Sequence, residues 1–500
     1  MKSVTEYLDR SAERFPDKIA FGDDRRTITF SELRDEGVRI GTALIQKGLF
    51  RKPVVVFMDR CPEAVSCIAG VLYSGCFYCA LDITMPAERL RHIMNTLGPA
   101  LILTDGAHRA LTDSFAGETE IALYEELLNT KADAAMLHTV WTNLLDSDLI
   151  YTVFTSGSTG IPKGVATSHR AVLRYTEWGS SVYSIDEHSV FGNSEAFYFV
   201  ASIFDLFQTW RSGCTTWLLS KMCLSFPMML MSTLQEKKVT CLALVPSVLI
   251  TLANLGALEA LHLDHLKTII FGGEMMPIHQ LNQWRAEYPN LMLVNVYGST
   301  ESTDGGIYYV LDRPISENEV LPIGKAADYA EVLLLDEQGK PVPDGEIGEL
   351  YLRSETLAFG YYNNPEKTAE VFVQNPQNTA YPEKIYRTGD MAFVNGYGEL
   401  VCVGRRDFQI KHMGYRIELG EIETAVSSQP GVERCCCLYD GEKDLIVLFY
   451  TGATESSVVL DGLKTLLPDY MIPNHTEHLE QMPFNSNGKV DRQALKERMT

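Results

Sequence analysis

The chain has 500 residues, 46% of them hydrophobic and 22% charged, so it is long enough to bury large cores and is expected to form two or more domains. Its 43 Lys and Arg residues against 65 Asp and Glu residues give a net charge of −22. Nucleic acids and anionic membranes both bind cationic surfaces, so this charge argues against either as a partner and favours a soluble globular protein.

The N-terminal segment MKSVTEYLDRSAERFPDK contains no apolar core of the kind found in a signal peptide. Val4, Leu8, Ala12 and Phe15 recur at helical spacing, which predicts an amphipathic first helix.

An uncharged stretch of eighteen residues, Ala64 to Leu81, is nearly as long as a membrane span. It is interrupted at Ser74 and Gly75, so we interpret it as a buried helix that runs into a strand.

The eleven cysteines are odd in number and show no spaced framework. We therefore expect free thiols in a reducing cytoplasm, without disulfides and without a cysteine metal site.

The middle of the chain alternates between strand-like and helix-like patterns. From about residue 53 to residue 273, short apolar runs such as PVVVFMD, TTWLL and LKTIIFGG are separated by helical patterns, which predicts parallel sheets wrapped by helices. From about residue 323, runs such as EVLLLDEQGKPVPDGEIGELYLRS are joined by Gly, Pro and Asp turns, which predicts an antiparallel sheet. The last hundred residues are charged in patches, so the predicted domains are 1–405 and 406–500.

The segment FTSGSTGIPKG, Phe154 to Gly164, combines hydroxyl side chains, glycines and one lysine, a composition suited to binding phosphate. In a Walker-type loop the lysine opens a helix, but here Pro162 precedes Lys163 and Gly164 follows it, so that geometry is not available. The segment instead predicts a flexible loop that closes over a triphosphate. Its predicted phosphate-binding residues are Thr155, Ser156, Gly157, Ser158, Thr159, Gly160 and Lys163.

This loop and eight further motifs resemble, in the same order, those of the adenylate-forming superfamily of acyl-CoA synthetases, luciferases and adenylation domains of nonribosomal peptide synthetases. The further motifs are ITFSEL, LDITMPAERL, NVYGSTES, GELYLRS, YRTGD, GRRDFQIKHMGYRIELGEIE, LPDYMIP and NGKVDR. The last three are most similar to the peptide-synthetase branch, which includes stand-alone D-alanyl carrier protein ligases. The resemblance implies an α/β fold: a large N-terminal domain of two wound, mostly parallel sheets with a smaller antiparallel sheet, and a small, mobile α+β C-terminal domain.

The resemblance also implies the reaction. A carboxylic acid attacks the α-phosphate of ATP in the presence of Mg²⁺, which gives an acyl-adenylate and pyrophosphate. The acyl group then passes to a thiol. No carrier signature of the type Gly-Gly-Asp/His-Ser follows in the chain, so we expect the acceptor to be a separate phosphopantetheinylated carrier protein. The alternative is an acyl-CoA ligase that uses free CoA.

Several nucleotide-binding roles follow from the matched motifs. The resemblance implies that Tyr297 lies against adenine, that Thr300 bonds the α-phosphate and that Glu301 holds Mg²⁺. It implies that Asp390 accepts hydrogen bonds from both ribose hydroxyls, where Arg405 adds a donor. The other implied nucleotide contacts are Gly272, Gly273, Glu274, Asn295 and Gly298.

The C-terminal motifs imply a catalytic cation and a hinge. Lys489 of NGKVDR would reach the substrate carboxylate and the ribose–phosphate bridging oxygen, acting with Thr300 and Glu301. Asp407 matches the hinge about which the C-terminal domain moves between the two half-reactions. Gly414 would lie where the phosphopantetheine arm passes the backbone, or it forms a hairpin turn.

The acid pocket is where this sequence departs from the resemblance. Activators of α-amino acids carry a segment like FDxS, whose aspartate pairs with the α-ammonium, and here Val200 stands at that position in EAFYFVASIFDLF. The pocket residues carried over by position are Phe199, Val200, Ala201, Phe204, Ala243, Ile270, Gly272, Val296, Asp304 and Gly305.

Three substrate classes stay open at this point. The first is a β- or ω-amino acid held by Asp304 or Glu195, and the second is an apolar acid without an amine. The third is an α-amino acid, D-alanine included, bound in a shifted frame through Asp205.

Overall fold

The computed structural model describes residues 1–157, 161–316, 319–405, 409–484 and 490–499. In chain order the strands are β1 (Ile19–Gly22), β2 (Thr27–Thr29), β3 (Pro53–Val56), β4 (Phe77–Ala80), β5 (Leu101–Thr104), β6 (Ile121–Leu123), β7 (Leu149–Thr155), β8 (Lys163–Ser168), β9 (Val190–Asn193), β10 (Thr215–Leu218), β11 (Cys241–Leu244), β12 (Thr268–Gly272), β13 (Met292–Tyr297), β14 (Ile307–Val310), β15 (Lys325–Ala326), β16 (Ala330–Leu335), β17 (Gly348–Ser354), β18 (Gly360–Tyr361), β19 (Phe372–Gln374), β20 (Lys384–Val394), β21 (Leu400–Arg405), β22 (Gln409–His412), β23 (Tyr415–Glu418), β24 (Val432–Asp440), β25 (Leu445–Gly452) and β26 (His475–His478).

The α-helices, in the same order, are α1 (Thr5–Arg14), α2 (Phe30–Gln46), α3 (Pro62–Tyr73), α4 (Ala87–Leu97), α5 (Arg109–Asp113), α6 (Tyr124–Leu127), α7 (Ala134–Asn143), α8 (His169–Val182), α9 (Ser202–Ser212), α10 (Lys221–Ser225), α11 (Pro227–Glu236), α12 (Pro246–Asn254), α13 (Ala257–Ala260), α14 (Ile278–Glu287), α15 (Pro365–Val371), α16 (Leu419–Ser427), α17 (Ser456–Lys464) and α18 (Arg492–Lys496).

The largest sheet has nine strands in the order β15-β14-β13-β12-β11-β9-β10-β1-β2. Its middle strands, β13 through β1, pair in parallel, while the strands at the two edges pair antiparallel. Both faces of this sheet are buried: Ile270 on β12 belongs to one hydrophobic cluster, whereas Ile269 and Phe271 belong to another. Such two-sided burial explains why these strands read as continuous apolar runs.

The second sheet has seven strands in the order β18-β8-β7-β4-β3-β5-β6, and the pairs from β7 to β6 are parallel. The uncharged stretch from Ala64 to Leu81 lies here as α3 followed by β4, which confirms a buried helix running into a strand. The chain turns at Gly75, whose φ is +72° and where a Cβ atom would meet the Phe50 ring at 2.7 Å.

The amphipathic N-terminal helix is also confirmed. It is α1, whose buried residues include Tyr7, Leu8 and Ala12. Among the residues that the structure describes, no helix combines the length and apolar character that crossing a lipid bilayer requires.

The antiparallel sheet expected after residue 323 is present. Strands β16, β17, β20 and β19 lie side by side, and β21 pairs with β20. Its core contains Leu350, Leu352 and Tyr386, with exposures of 1% or less. The two mostly parallel sheets and this smaller sheet together confirm the predicted α/β class.

The chain divides into two compact units. One comprises Met1–Ile83, Leu97–Val153 and Val165–Arg406, and the other comprises Thr84–Thr96, Phe154–Gly164 and Asp407–Thr500. The second unit contains the hairpin β22-β23, the sheet β24-β25-β26 and helices α16 to α18. The unit that holds the C-terminal residues therefore also includes the phosphate loop and most of α4, which the predicted division into 1–405 and 406–500 did not anticipate. The hinge candidate Asp407 lies outside the described residues.

All eleven cysteines are free, as the sequence led us to expect. Nine of them are buried, while Cys402 and Cys435 are partly exposed.

The packing of α2 against α3 depends on glycine. A Cβ atom at Gly70 would lie 2.3 Å from the Cγ2 atom of Ile40, so the two helices meet where no side chain fits. We expect Gly70→Ala to destabilise the protein by about 1–3 kcal/mol through overpacking. The measurement is the thermal unfolding midpoint. Gly396→Ala is the control, since nothing lies within 4 Å of a Cβ atom at that position. Equal midpoints for the two variants would contradict the packing argument.

Candidate active site

Four neighbouring parallel strands end at one edge of the nine-stranded sheet. These strands are β13, β12, β11 and β9. The segments that follow them include Glu195 after β9, Glu274 after β12 and Thr300 after β13. The carboxyl ends of parallel strands are where ligands bind in open α/β sheets, so this edge is the candidate site.

Three of the predicted nucleotide-binding residues contact one another at this site. The Tyr297 hydroxyl donates to Oδ2 of Asp390, and Nη1 of Arg405 lies 3.0 Å from Oδ1 of the same carboxylate. The pairing of β20 with β21 sets Asp390 directly opposite Arg405. Burial, followed by the Asp390 charge, holds the pKa of Tyr297 well above its ordinary value, so the phenol stays protonated and donates.

Thr300 and Glu301 lie in a short 3₁₀ turn directly after β13. The Glu301 side chain belongs to a fully buried residue, and its Oε1 accepts a 2.7 Å hydrogen bond from the Tyr361 hydroxyl. Tyr361 lies sixty residues further along the chain, and the sequence motifs did not identify it. An ionised carboxylate can accept about four hydrogen bonds, so this contact leaves capacity for another ligand.

Two other predicted nucleotide residues make structural contacts. The Asn295 side-chain amide donates to the carbonyl of Pro322 at 2.8 Å, and Oε2 of Glu274 accepts from the Ser247 backbone N–H at 3.1 Å. Asn295 thus helps hold the chain at residue 322, a role that its motif did not suggest.

Local backbone geometry explains why glycine occupies three of the predicted nucleotide-binding positions. A Cβ atom at Gly272 would lie 2.1 Å from the Val296 carbonyl oxygen, and one at Gly298 would lie 2.2 Å from the Asp304 carbonyl oxygen. At Gly273 the backbone φ is +88°, a conformation that favours glycine. Close backbone approach therefore accounts for two of these glycines without any ligand.

Phosphate-loop residues contact the C-terminal segment within the second unit. The Ser156 hydroxyl donates to the Arg416 carbonyl at 2.6 Å, and the Gly157 N–H donates to Oε2 of Glu421 at 3.2 Å. Nζ of Lys163 lies 3.6 Å from Oε1 of a further acid, Glu418. Three groups predicted to bind phosphate thus contact carbonyl or carboxylate oxygens. These oxygens accept hydrogen bonds, as phosphate oxygens do.

Of the remaining predicted loop residues, the structure describes only Thr155. Within the described part of the chain, the buried Oγ1 of Thr155 makes no hydrogen bond, so it is available to a phosphate oxygen. Ser158, Thr159 and Gly160 lie outside the described residues, and so does the predicted catalytic cation, Lys489.

The Glu421 carboxylate, which accepts the hydrogen bond from Gly157, also forms an ion pair with a buried arginine. Arg89 on α4 forms an ion pair with Oε1 of Glu421, and the two side chains are 6% and 1% exposed. Burial raises the pKa of Glu421, against the opposing effect of the Arg89 charge. The sequence motifs include both residues but do not reveal this pair, because 332 residues separate its members.

Five of the predicted acid-pocket residues belong to, or pack against, one hydrophobic cluster. Phe204 and Ile270 belong to one buried hydrophobic cluster, and Val200, Ala243 and Val296 pack against it. Beside them, Phe199 packs against Tyr198 with ring centroids 4.9 Å apart. Ala201 immediately precedes α9, and Gly305 is buried. The Val200 position thus has an apolar environment.

Each of the three candidate amine anchors has a hydrogen-bond partner. Oδ2 of Asp304 accepts from the Tyr175 hydroxyl at 3.1 Å, and Oε1 of Glu195 accepts from the Ser194 hydroxyl at 3.1 Å. Burial raises the pKa of Glu195.

Asp205 has the most enclosed position. It is 1% exposed, and its Oδ2 accepts from the Asn193 amide at 2.9 Å, whereas its Oδ1 makes no hydrogen bond among the described residues. Burial raises the pKa of Asp205 to about 7.

Comparison with known proteins identifies the family of this chain. Residues 8–362 match the family described as AMP-binding enzyme. The chain is 32% identical over 506 residues to zwittermicin A synthase ZmaJ of Bacillus cereus, covering 98% of this chain and 94% of that relative. The chain belongs to the AMP-binding enzyme family.

Other relatives of this AMP-binding enzyme are much longer proteins, of which it spans only a small part. It is 32% identical over 507 residues to bacitracin synthase 1 of Bacillus licheniformis, covering 99% of this chain but 9% of the relative. Among solved structures it is similar to holo-PA1221, described as an NRPS protein containing adenylation and PCP domains. That match has a TM-score of 0.85 and 25% identity, over 99% of this chain and 84% of the other. This AMP-binding enzyme is thus an adenylate-forming ligase, and the family uses ATP with Mg²⁺.

The residues present fit those groups. Mg²⁺ prefers oxygen ligands and is commonly bound by one or two carboxylates together with substrate phosphates. The buried Glu301 carboxylate would supply such an oxygen ligand. The Thr155 hydroxyl, which makes no hydrogen bond within the described part of the chain, would supply a donor suited to phosphate.

The buried ion pair yields a stability prediction. Arg89→Met leaves the Glu421 carboxylate buried without its cation, so we expect a destabilisation of about 3–5 kcal/mol, measured as a lower thermal midpoint. The double variant Arg89→Met/Glu421→Gln removes the orphaned charge and should recover part of the loss. Arg91→Met, on an exposed arginine of the same helix, is the control. A midpoint for Arg89→Met equal to that of the control would contradict the prediction.

Asp205 yields a pH prediction. Its folded pKa of about 7 exceeds its ordinary value of 3.8, so the folded state binds the proton more tightly than the unfolded chain. The carboxyl group therefore lowers stability progressively as the pH rises from about 4 to about 7. We expect Asp205→Asn to raise the thermal midpoint by an amount that grows over this range and is constant above it, corresponding to about 2–4 kcal/mol at pH 8. Glu118→Gln, on an exposed carboxylate, should show no such trend. A gain for Asp205→Asn that does not depend on pH would be the contrary result.

Proposed function

We propose that this AMP-binding enzyme activates a small carboxylic acid whose amine, if it has one, is not on the α-carbon, and passes the acyl group to the phosphopantetheine thiol of a separate carrier protein. The observation that carries the proposal is Val200. It packs against the apolar cluster at the position where activators of α-amino acids place an aspartate. A buried ammonium without a counter-ion would cost several kcal/mol, which would abolish useful affinity in that pose.

The alternative anchor for an α-ammonium, Asp205, is poorly suited to that role. It is 1% exposed on α9 and already accepts a hydrogen bond from Asn193.

The first half-reaction needs charge neutralised on phosphate more than it needs a general base. We assign Asp390 and Arg405 to the ribose, Thr300 to the α-phosphate and Glu301 to Mg²⁺. Bound Mg²⁺ would polarise the phosphate oxygens, and the loop residues from Thr155 to Lys163 would supply hydrogen-bond donors to the triphosphate.

The relatives support a carrier protein as the acceptor. ZmaJ and bacitracin synthase 1 are synthases by name, and PA1221 is described as containing a PCP domain together with its adenylation domain. The hairpin β22-β23 turns through Met413 and Gly414, whose φ angles are 51° and 80°. This tight turn places Gly414 at the tip of a hairpin, which is compatible with close passage of a phosphopantetheine arm.

The experiment has two parts. Exchange of labelled pyrophosphate into ATP, measured across α-, β- and ω-amino acids and amine-free acids, reports the first half-reaction without an acceptor. Transfer of the activated acid is then measured to a phosphopantetheinylated carrier protein and, separately, to CoA. Exchange confined to acids without an α-amine, followed by transfer to the carrier protein, is the expected result. Strong exchange with an ordinary α-amino acid would overturn the substrate assignment, and transfer to CoA alone would overturn the acceptor.

The proposed catalytic cation gives a further prediction. Lys489→Ala should reduce pyrophosphate exchange by at least about 100-fold, because the variant lacks the charge that stabilises the transition state, while ATP binding measured by calorimetry is retained. Lys496→Ala, on an exposed lysine of α18, is the control and should keep full exchange. Undiminished exchange in Lys489→Ala would remove Lys489 from its assigned role.

A further inference from the structure

A tyrosine that the motifs do not include carries an unsatisfied hydroxyl next to the predicted acid pocket. Tyr329 is 3% exposed, and its hydroxyl makes no hydrogen bond within the described part of the chain. Leaving a buried hydroxyl without a partner costs about 1–3 kcal/mol, so such a group calls for an explanation.

The Tyr329 hydroxyl lies close to a pocket position. A Cβ atom at Gly305 would come within 2.8 Å of this hydroxyl and within 2.8 Å of the Tyr175 ring. The two tyrosines therefore close the space beside Gly305, so the predicted pocket is narrow at this position.

The neighbouring carboxylate makes this place polar as well as small. Asp304 precedes Gly305 and accepts a 3.1 Å hydrogen bond from the Tyr175 hydroxyl. Burial raises the pKa of Tyr329 far above its ordinary value, and the Asp304 charge adds to this effect. Tyr329 is thus a neutral hydroxyl within electrostatic reach of Asp304, and its oxygen can accept a hydrogen bond.

The surroundings hold the Tyr329 ring in place. The Trp178 ring packs edge-on against it with a centroid distance of 5.5 Å, and the Arg174 guanidinium lies 5.5 Å from its centroid. Arg174 is itself fixed by ion pairs to Asp328 and Glu355. A ring packed in this way presents its hydroxyl in one direction.

The rival acid Glu195 has a different environment. Burial raises the pKa of Glu195 and the Asp304 charge raises it further, while the partly buried cation Arg60 opposes this shift. Beside Asp304, by contrast, the cation that lies over the Tyr329 ring is Arg174, whose own charge is offset by its two acidic partners. Asp304 is the better anchor because the Tyr175 hydroxyl contacts it and the Tyr329 hydroxyl lies beside the next residue, Gly305.

We propose that the Asp304 carboxylate and the Tyr329 hydroxyl together bind the ammonium of a short β-amino acid, with Tyr175 positioning Asp304. The ammonium donates one hydrogen bond to the carboxylate and another to the Tyr329 oxygen, which satisfies the orphaned hydroxyl. The tyrosines that close the space beside Gly305 select a β-amine over a longer ω-amine. This inference rests on the proposed adenylation function and names its substrate class.

The test compares two acids of similar shape, 3-aminobutanoic acid and 3-methylbutanoic acid, in pyrophosphate exchange. Tyr329→Phe should lower kcat/KM for the amino acid about 10-fold, mainly through KM, and should leave the amine-free acid unchanged. Asp304→Asn should show the same selectivity with a larger loss. 4-Aminobutanoic acid should be a poorer substrate of the unaltered enzyme than 3-aminobutanoic acid.

Tyr309→Phe is the matched control. Tyr309 is also buried, its hydroxyl also lacks a partner among the described residues, and it belongs to the other hydrophobic cluster of the nine-stranded sheet. Tyr329→Phe should keep or raise the thermal midpoint, because it removes an unsatisfied hydroxyl, and Tyr309→Phe should not alter either acid's kinetics.

Three outcomes would overturn the inference. Equal losses on both acids in Tyr329→Phe would show a structural role, and no loss on either would show that the hydroxyl does not touch the substrate. Preference of the unaltered enzyme for 3-methylbutanoic acid would exclude an amine site at Asp304. Absence of exchange with every acid is distinguishable from these results, since it would overturn the proposed function and this inference with it.

Discussion

A carboxylate can be buried only if hydrogen bonds or a cation compensate for the water it loses, and this constraint acts within each of the two compact units. Glu301 accepts from Tyr361, Asp390 is held by Tyr297 and Arg405, and Glu421 pairs with Arg89. Each partner comes from a different strand or helix. Glu301 and Asp390 are the acids proposed to bind Mg²⁺ and ribose, so the proposed chemistry and the fold impose the same requirement on the sequence.

The sequence predicted the sheets well because their signal is local. Continuous apolar runs identify strands buried on both faces, and the runs that became β3 and β12 needed no knowledge of their neighbours. Motif order predicted Tyr297, Asp390 and Arg405 to bind the nucleotide. The structure shows that Tyr297 and Arg405 both contact Asp390, and the binding role stays a prediction. Sequence patterns could not reveal Tyr361 or the pairing of Arg89 with Glu421. These contacts depend on tertiary packing, and nothing in the local pattern of either partner encodes the other.

The acid pocket shows the same difference between what the sequence can and cannot predict. Val200 could be recognised from sequence because a missing aspartate is visible in a motif. The three acids Glu195, Asp205 and Asp304 could not be ranked from sequence, since what distinguishes them is burial and the charge of neighbouring groups. The structure separates them: Asp205 is enclosed and bonded to Asn193, Glu195 has an arginine in its surroundings, and Asp304 is flanked by tyrosines.

The cysteines have a consequence for an enzyme whose proposed second substrate is a thiol. Burial raises the pKa of Cys67, Cys79, Cys241 and Cys437, so these sulfurs stay protonated, and the thiol form is a poor nucleophile. Thioester exchange and mixed-disulfide formation both require a thiolate that can reach its target. These four thiols are therefore poor competitors for an activated acyl group, because each is both buried and protonated.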